Sequence, residues 1–222
     1  MELLKTERAA NELFAETVRG LAHPKRLQLL NLLAQTERSV EELAAIAGVP
    51  VATTSAQLQT LRRAGLVARR REATRIYYRL AGQPVLELLV ALQRAASGLH
   101  AAQGMTGPID ETRDDIPVRT MERAQLMRSA QAGEVVVLDV RPTEEFESGH
   151  IPGALSVPVG ELAERLGEIP ADVEVVAYCR GAYCLLSHDA VRLLRDRGRT
   201  ASILDHGMNE WRVAGEPVGA GR

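Results

Sequence analysis

Val173-Glu174-Val175-Val176-Ala177-Tyr178-Cys179-Arg180-Gly181-Ala182-Tyr183-Cys184 decides how the second half of the chain folds. The run from Val173 to Tyr178 is nearly all apolar and too short for an ordinary helix. It reads as a strand buried on both faces. A loop then leaves the carboxyl end of that strand, the place where parallel sheets bind ligands. Two further runs share the pattern, Val135-Val136-Val137-Leu138 and Ser202-Ile203-Leu204. Segments of helical character lie around them, at about 121–131, 143–148, 159–167, 184–197 and 207–213. Short apolar strands alternating with helices predict an α/β unit whose parallel sheet is covered on both faces.

The chain has 222 residues and two cysteines, Cys179 and Cys184, both on this loop. So few thiols do not make a disulfide scaffold. Two of them on one short loop point to chemistry, with Cys179 as the nucleophile. The loop's N–H groups and the N-terminus of the next helix are expected to surround the Cys179 sulfur, stabilise a thiolate and depress its pKa. Gly181 permits the tight backbone, and Ala182 and Tyr183 complete the loop. Arg180 reads either as an attractor for an anionic donor or as a solvated side chain. Cys184 has two readings as well. It is a second thiol that attacks a persulfide on Cys179 and closes a di-, tri- or tetrasulfide bridge, or it packs at the start of the next helix. A metal site built from Cys179, Cys184, His188 and His206 is set aside, because both cysteines belong to a loop suited to wrapping one sulfur. No metal or cofactor is expected.

Moving toward the N-terminus, residues 102–117 are rich in Gly, Pro and charge without apolar period, and read as a linker. Before them the texture is helical. Residues 2–19 show a helical period, and Pro24 opens a second helix to about Ala34, since proline suits a first turn. Ser39-Val40-Glu41-Glu42 is a capping box that starts a third helix at Val40, ending at Gly48. A fourth begins at Val49-Pro50, runs to about Ala64 and stops at Gly65. Leu66–Arg70 and Arg75–Leu80 alternate as two strands, and a last helix runs from about Pro84 to Ala101. The organisation is therefore a mainly α winged helix-turn-helix domain at 1–101, a linker at 102–117, and an α/β domain at 118–222.

Charge divides the same way. Residues 1–101 hold 14 Lys/Arg against 9 Asp/Glu, and the remainder 13 against 20. Between Arg62 and Arg79 stand seven arginines (Arg62, Arg63, Arg69, Arg70, Arg71, Arg75, Arg79) and a single acid, Glu72. A basic hairpin beside a helix suits phosphate contact, which supplies most DNA affinity. The fourth helix begins with small polar residues, Thr53, Thr54, Ser55 and Gln57, that fit a major groove, while Leu58 and Leu61 point to the core. No run of about 18 apolar residues exists, which argues against a membrane span. The alternating charges of the first eight residues are unlike a signal peptide, so a cytoplasmic location is expected.

Leu21-Ala22-His23-Pro24-Lys25-Arg26-Leu27, Val40-Glu41-Glu42-Leu43-Ala44 and Leu58-Gln59-Thr60-Leu61-Arg62-Arg63-Ala64-Gly65-Leu66-Val67 resemble the ArsR family of bacterial repressors over about residues 10–95. The resemblance implies a homodimer joined by the first and last helices, reading an inverted-repeat operator DNA. Metal-sensing members carry a cysteine pair on the helix that here reads Glu42-Leu43-Ala44-Ala45-Ile46-Ala47. No cysteine occurs in residues 1–178, which excludes thiolate sensing of arsenite, cadmium or lead by this domain. The isolated His23 and His100 read as capping or surface residues.

Over about residues 117–218 the chain resembles a single-domain rhodanese, a sulfurtransferase. The likeness rests on Leu138-Asp139-Val140-Arg141-Pro142-Thr143-Glu144-Glu145-Phe146, Gly149-His150-Ile151-Pro152-Gly153-Ala154 and Glu210-Trp211-Arg212-Val213-Ala214-Gly215-Glu216-Pro217-Val218. It implies that Cys179 forms a persulfide, that Asp139 and Arg141 support the active loop, and that His150 and Trp211 are structural. Counted from Cys179 to Cys184 the loop has the rhodanese length of six. Related phosphatases and arsenate reductases add a seventh residue, Arg, where this chain has Leu185, which argues against phosphate or arsenate.

The fusion implies a sulfur-responsive transcriptional regulator. A donor such as thiosulfate, polysulfide or a low-molecular-weight persulfide loads Cys179, Cys184 bridges to it, and operator binding changes. The competing reading is a thiosulfate or persulfide sulfurtransferase in which the winged helix is a dimerisation or regulatory appendage.

Overall fold

In the computed structural model the described residues are 2–105 and 119–220; of the expected linker, 106–117 lie outside them. The chain divides into two units, Met1–Leu89 and Val90–Arg222.

The first unit contains α1 (Glu2–Leu21), α2 (Pro24–Leu33), β1 (Arg38–Ser39), α3 (Val40–Ala47), α4 (Val51–Arg63), β2 (Val67–Glu72) and β3 (Arg75–Leu80), and the start of α5 (Gln83–Ala102). His23 caps α2 by accepting the Lys25 N–H at 3.2 Å, and Pro24 fills the first turn. The capping box of α3 is present in both directions: Glu42 N–H donates to Ser39 Oγ at 3.2 Å, and Ser39 N–H donates to Glu42 Oε2 at 2.7 Å. Gly48 ends α3 in the left-handed conformation, φ 62°. Leu30, Leu43, Leu58 and Leu61 are fully buried and form the centre of the core. Each contributes about 1.5–3 kcal/mol of burial. The three strands form an antiparallel sheet in the order β1-β3-β2. The wing pairs out to Glu72 opposite Arg75, so its turn is only Ala73-Thr74, with Ala73 at φ 49°.

The second unit carries β4 (Thr120–Met121), α6 (Arg123–Gln131), β5 (Val135–Asp139), α7 (Thr143–Glu147), β6 (Leu155–Ser156), β7 (Glu174–Tyr178), α8 (Leu186–Asp196), β8 (Ala201–Leu204) and α9 (Met208–Val213). Its five strands are parallel, in the order β4-β8-β7-β5-β6. β7 is the central strand, so the cysteine loop leaves from the middle of the sheet. Alternate residues feed two cores. Leu138, Val175, Ala177 and Ile203 pack on one face, and Val137, Val176, Tyr178 and Leu204 on the other.

The structure departs from the sequence reading in three places. The helix expected over 159–167 is a series of turns with one 3-10 turn, Leu166–Glu168. Gly160 and Gly167 lie within that stretch, and glycine disfavours a continuous helix. The helix after the cysteine loop starts at Leu186 rather than Cys184. The two-residue strands β1, β4 and β6 are too short to show a period. No helix among the described residues is long and apolar enough to cross a membrane.

Candidate functional site

Cys179 follows the last residue of β7 and is 2% exposed. Its thiol donates to the Cys184 carbonyl oxygen at 3.3 Å, lies 4.0 Å from the Gly181 carbonyl oxygen, and is 3.3 Å from Ser187 Oγ. Carbonyl oxygens favour a thiol over a thiolate. Burial, and next the hydrogen bond with Cys184, push the Cys179 thiol well above its ordinary range. This reverses the expected depression of its pKa. The loop turns the Gly181 and Cys184 carbonyl oxygens toward Cys179, while Ser187, through its hydroxyl and its backbone, partly offsets the rise. Cys184 is partly exposed. The Cys179 thiol and the Arg180 and Leu186 backbone lie around its sulfur, and the Arg180 charge is close by. The Cys179 hydrogen bond is the largest of these influences, and together they bring the Cys184 thiol down to about 6. The two cysteines are free thiols.

The loop is fastened from beneath. Arg180 makes a two-pronged ion pair with Glu145 of α7, Nη2 to Oε1 at 2.7 Å and Nε to Oε2 at 2.9 Å, and the Glu145 side chain is fully buried. Arg180 is therefore engaged by Glu145, with a quarter of its side chain exposed. The Ala182 N–H donates to Glu210 Oε1 at 3.3 Å, and the Gly207 N–H to Glu210 Oε2 at 3.0 Å. Met208 and Asn209 N–H donate to the Cys179 and Arg180 carbonyls at 3.0 and 2.8 Å. Gly207 lies so close under the loop that a Cβ there would stand 2.6 Å from both the Cys179 carbonyl oxygen and the Gly181 nitrogen. On the loop itself, a Cβ on Gly181 would meet the Glu210 carboxylate at 3.1 Å.

Asp139 and Arg141 form a fully buried pair, Nη2 to Oδ2 at 2.6 Å. Arg141 also donates to the Gly149 carbonyl at 2.9 Å, and the Tyr178 hydroxyl donates to Asp139 Oδ2 at 2.5 Å. The pair thereby fixes the residue before Cys179. Beside the loop is a cleft of about 330 Å³ whose lining includes Arg180, Leu186, Glu144, Glu161 and Val159. Tyr183 is exposed, and within the second unit its hydroxyl donates to the Gln93 carbonyl at 3.0 Å. Sequence reasoning singled out the loop, Asp139 and Arg141 but passed over Glu145, Ser187, Gly207 and Glu210 as parts of the site.

On the first unit, Thr53 is exposed at the start of α4, and Ser55 and Gln57 are partly exposed. Thr54 does not belong with them. It is 1% exposed, and its hydroxyl has no hydrogen-bond partner among the described residues. Gln57 Oε1 accepts from Arg26 Nη1 at 3.2 Å. Arg62, Arg69, Arg71 and Arg75 are exposed. Arg70 is half-exposed but engaged: it pairs with Glu37 at 2.6 Å and with Glu72, and lies over the Tyr77 ring at 4.6 Å.

A helix-turn-helix with a basic antiparallel wing, joined to a parallel α/β unit that presents cysteines off its central strand, defines a DNA-binding regulator with a rhodanese-like domain. Comparison with known proteins agrees. Residues 23–69 match the bacterial regulatory protein, arsR family, and residues 122–214 match the rhodanese-like domain. The chain is 49% identical over 207 residues to the HTH-type transcriptional regulator Rv0324 of Mycobacterium tuberculosis, covering 93% of this chain and 90% of that one. It is 48% identical over 86 residues to the biofilm growth-associated repressor of Agrobacterium fabrum, 39% of this chain and 73% of that one. The solved homodimeric winged helix-turn-helix DNA-binding domain of Mb0332 from Mycobacterium bovis is 45% identical, covering 41% of this chain and 84% of its own, with a TM-score of 0.40. The chain belongs to the ArsR-family transcriptional regulators and carries a C-terminal rhodanese-like domain.

Proposed function

We propose that this regulator responds to sulfane sulfur: a persulfide forms on Cys179, Cys184 closes a bridge to it, and operator binding changes. The observation that carries the reading is the pair itself. All the thiol chemistry of the chain is concentrated in Cys179 and Cys184, which stand on one loop with the Cys179 thiol 3.3 Å from the Cys184 carbonyl oxygen. A ligand shifts a conformational equilibrium only through differential interaction with two states. A Cys179–Cys184 bridge supplies that difference, because it removes the thiol proton that Cys179 gives to the Cys184 carbonyl and draws the two ends of the loop together. Tyr183 on the same loop bonds the Gln93 carbonyl of α5, a helix that runs unbroken from Gln83 to Ala102.

In this reading the protein works as a homodimer on an inverted repeat. Exposed Leu13, Phe14 and Val18 on α1, and Leu92 and Leu99 on α5, supply apolar surface for the dimer. Thr53, Ser55 and Gln57 face the major groove, and Arg62, Arg69, Arg70, Arg71 and Arg75 face phosphates. The test is titration of operator DNA with reduced protein, polysulfide-treated protein and a treated Cys179→Ser/Cys184→Ser variant. Binding weakens on loading, with derepression as the outcome, and a tenfold change needs about 1.4 kcal/mol of coupling. Equal affinity in all three, with loading confirmed by intact mass, would sink the switch and leave a sulfurtransferase fused to a DNA-binding domain.

A further inference from the structure

One guanidinium, that of Arg26, joins three helices of the first unit. Arg26 stands in the first turn of α2 and is partly buried. Its Nε donates to the Gly20 carbonyl at 2.6 Å and its Nη2 to the Arg19 carbonyl at 2.9 Å. Both belong to the last carbonyls of α1, which a helix leaves without intrahelical partners. Its Nη1 donates to Gln57 of α4 at 3.2 Å. The same end of α1 is packed tightly where α4 stops. A Cβ on Gly20 would stand 2.6 Å from the Ala64 Cβ and 3.0 Å from Leu66 Cδ1. The turn between α1 and α2 is thus held against α4 at both ends of that helix's second half.

The contact fixes which way the Gln57 amide points. A guanidinium has N–H donors and no acceptor, so the Gln57 atom it meets is the carbonyl oxygen, Oε1. The amide is planar, with its oxygen and its NH2 group on opposite arms of one fork. Tying Oε1 to the α1–α2 turn leaves the NH2 group as the arm that faces away from it. Gln57 lies one helical turn beyond the exposed Thr53, on the same stripe of α4, and is itself partly exposed. An unrestrained glutamine reads adenine with both arms, Oε1 accepting from N6 and Nε2 donating to N7. With Oε1 committed, Gln57 offers donors alone. Guanine matches that edge, because N7 and O6 are both acceptors, whereas adenine sets its own N6 amino group against the NH2.

We infer that Arg26 sets the polarity of Gln57, so that each recognition helix selects guanine over adenine at the base pair Gln57 meets. Gln57 touches the base, and Arg26 is a positioning residue behind it. The inference rests on the reading above that α4 enters the major groove, and it adds one base preference to that reading.

The test is selection from duplexes carrying a randomised inverted repeat, using the full chain and its Gln57→Ala, Gln57→Glu and Arg26→Met variants. The position that loses its preference in Gln57→Ala is the one Gln57 reads. There the wild type is expected to enrich guanine over adenine about tenfold. Gln57→Glu keeps the contact with Arg26 and turns the outward arm from donor to acceptor, so the preference is expected to move to cytosine, whose N4 amino group donates. Arg26→Met frees Oε1, and adenine is expected to rise at least to the level of guanine. Circular dichroism checks that each variant is folded; if Arg26→Met is not, wild type and Gln57→Glu decide. Adenine preferred by the wild type, or guanine still preferred by Gln57→Glu, overturns the inference. So does an Arg26→Met variant with an unchanged sequence profile, weaker on every duplex and with a salt slope smaller by about one, the mark of an arginine on phosphate. An unchanged profile in Gln57→Ala makes Gln57 a strut and also overturns it, while leaving α4 in the groove. Failure of the full chain to enrich any duplex strikes the groove-binding reading itself.

Discussion

Replacing Arg180 with Leu tests whether the residue beside the nucleophile is a strut or an anion hook. Its guanidinium forks onto Glu145, whose side chain is fully buried, while the Arg180 side chain is 25% exposed. Arg180→Leu leaves a carboxylate inside the protein without its partner. Breaking a buried pair from one side costs about 3–5 kcal/mol. Partial exposure of the arginine places this case at the low end, about 3 kcal/mol. For a domain of this size each kcal/mol lowers Tm by several degrees, so the variant is expected to melt roughly 10 °C lower. Removing both charges in Arg180→Leu/Glu145→Leu takes away the stranded carboxylate, and most of the stability should return. Calorimetry on wild type, both single variants and the double variant closes the cycle. A hook would behave otherwise. Arg180→Leu would keep wild-type Tm and lose only affinity for anionic donors, and that result would refute the strut.

The same geometry gives three further outcomes. With Arg180 held by Glu145 and with Glu144 and Glu161 on the cleft wall, a dianion finds little to bind, so a neutral alkyl hydropersulfide should load the protein faster than thiosulfate at equal concentration; faster loading by thiosulfate contradicts this. Gly207→Ala forces a methyl against backbone at 2.6 Å, and overpacking of about 1–3 kcal/mol should displace the loop and slow sulfur uptake while far-ultraviolet circular dichroism stays native. On the DNA side, Arg62→Ala and Arg75→Ala should each weaken binding to all sequences and reduce the salt slope by about one, whereas Glu37→Gln, which removes one of the two acids paired with Arg70, should tighten it; gel-shift titrations across salt concentrations separate these outcomes.

Much of this architecture is written in local sequence. Val135–Leu138 and Val173–Tyr178 announce their strands because both faces of a central parallel strand are buried. Ser39 and Glu42 announce a helix start because the capping box closes within four residues. The site's supports are another matter. Glu145 is 35 positions from Arg180, and Glu210 is 28 from Ala182, so these contacts exist only once the sheet has assembled. Two features had a local signal that sequence reasoning passed over. Thr54 stands at i, i+4 and i+7 with Leu58 and Leu61, on the core stripe of α4. Ser187 shares the buried face of α8 with Ala190, Val191 and Leu194. A hydroxyl on an apolar stripe asks for a buried partner, and in Ser187 the partner is Cys179. The direction of the peptide groups around each sulfur has no such signal. Cysteine spacing locates the pair but not that the Cys179 thiol meets the Gly181 and Cys184 carbonyl oxygens.

The attachments of the loop decide where strain from a bridge goes. One flank of the loop is held at three points: Arg180 by the buried Glu145, Ala182 by Glu210, and the Cys179 backbone by close contact with Gly207. Moving that flank means stranding a buried carboxylate or pulling backbone groups off their donors, at about 1–3 kcal/mol for each lost partner. The other flank, Tyr183 to Leu185, has no regular secondary structure and ends where α8 begins. Pulling Cys184 onto the sulfur of Cys179 must therefore move Tyr183–Leu185 rather than Cys179–Ala182. Tyr183 is the exposed residue of that moving flank, and its hydroxyl rests on the Gln93 carbonyl. In the proposed switch the bridge thus acts on α5 through Tyr183. Tyr183→Phe removes that hydroxyl contact while leaving both thiols in place. It should load sulfur as wild type does, by intact mass, yet show a smaller difference in operator affinity between reduced and loaded protein. An undiminished difference would place the coupling elsewhere on the loop.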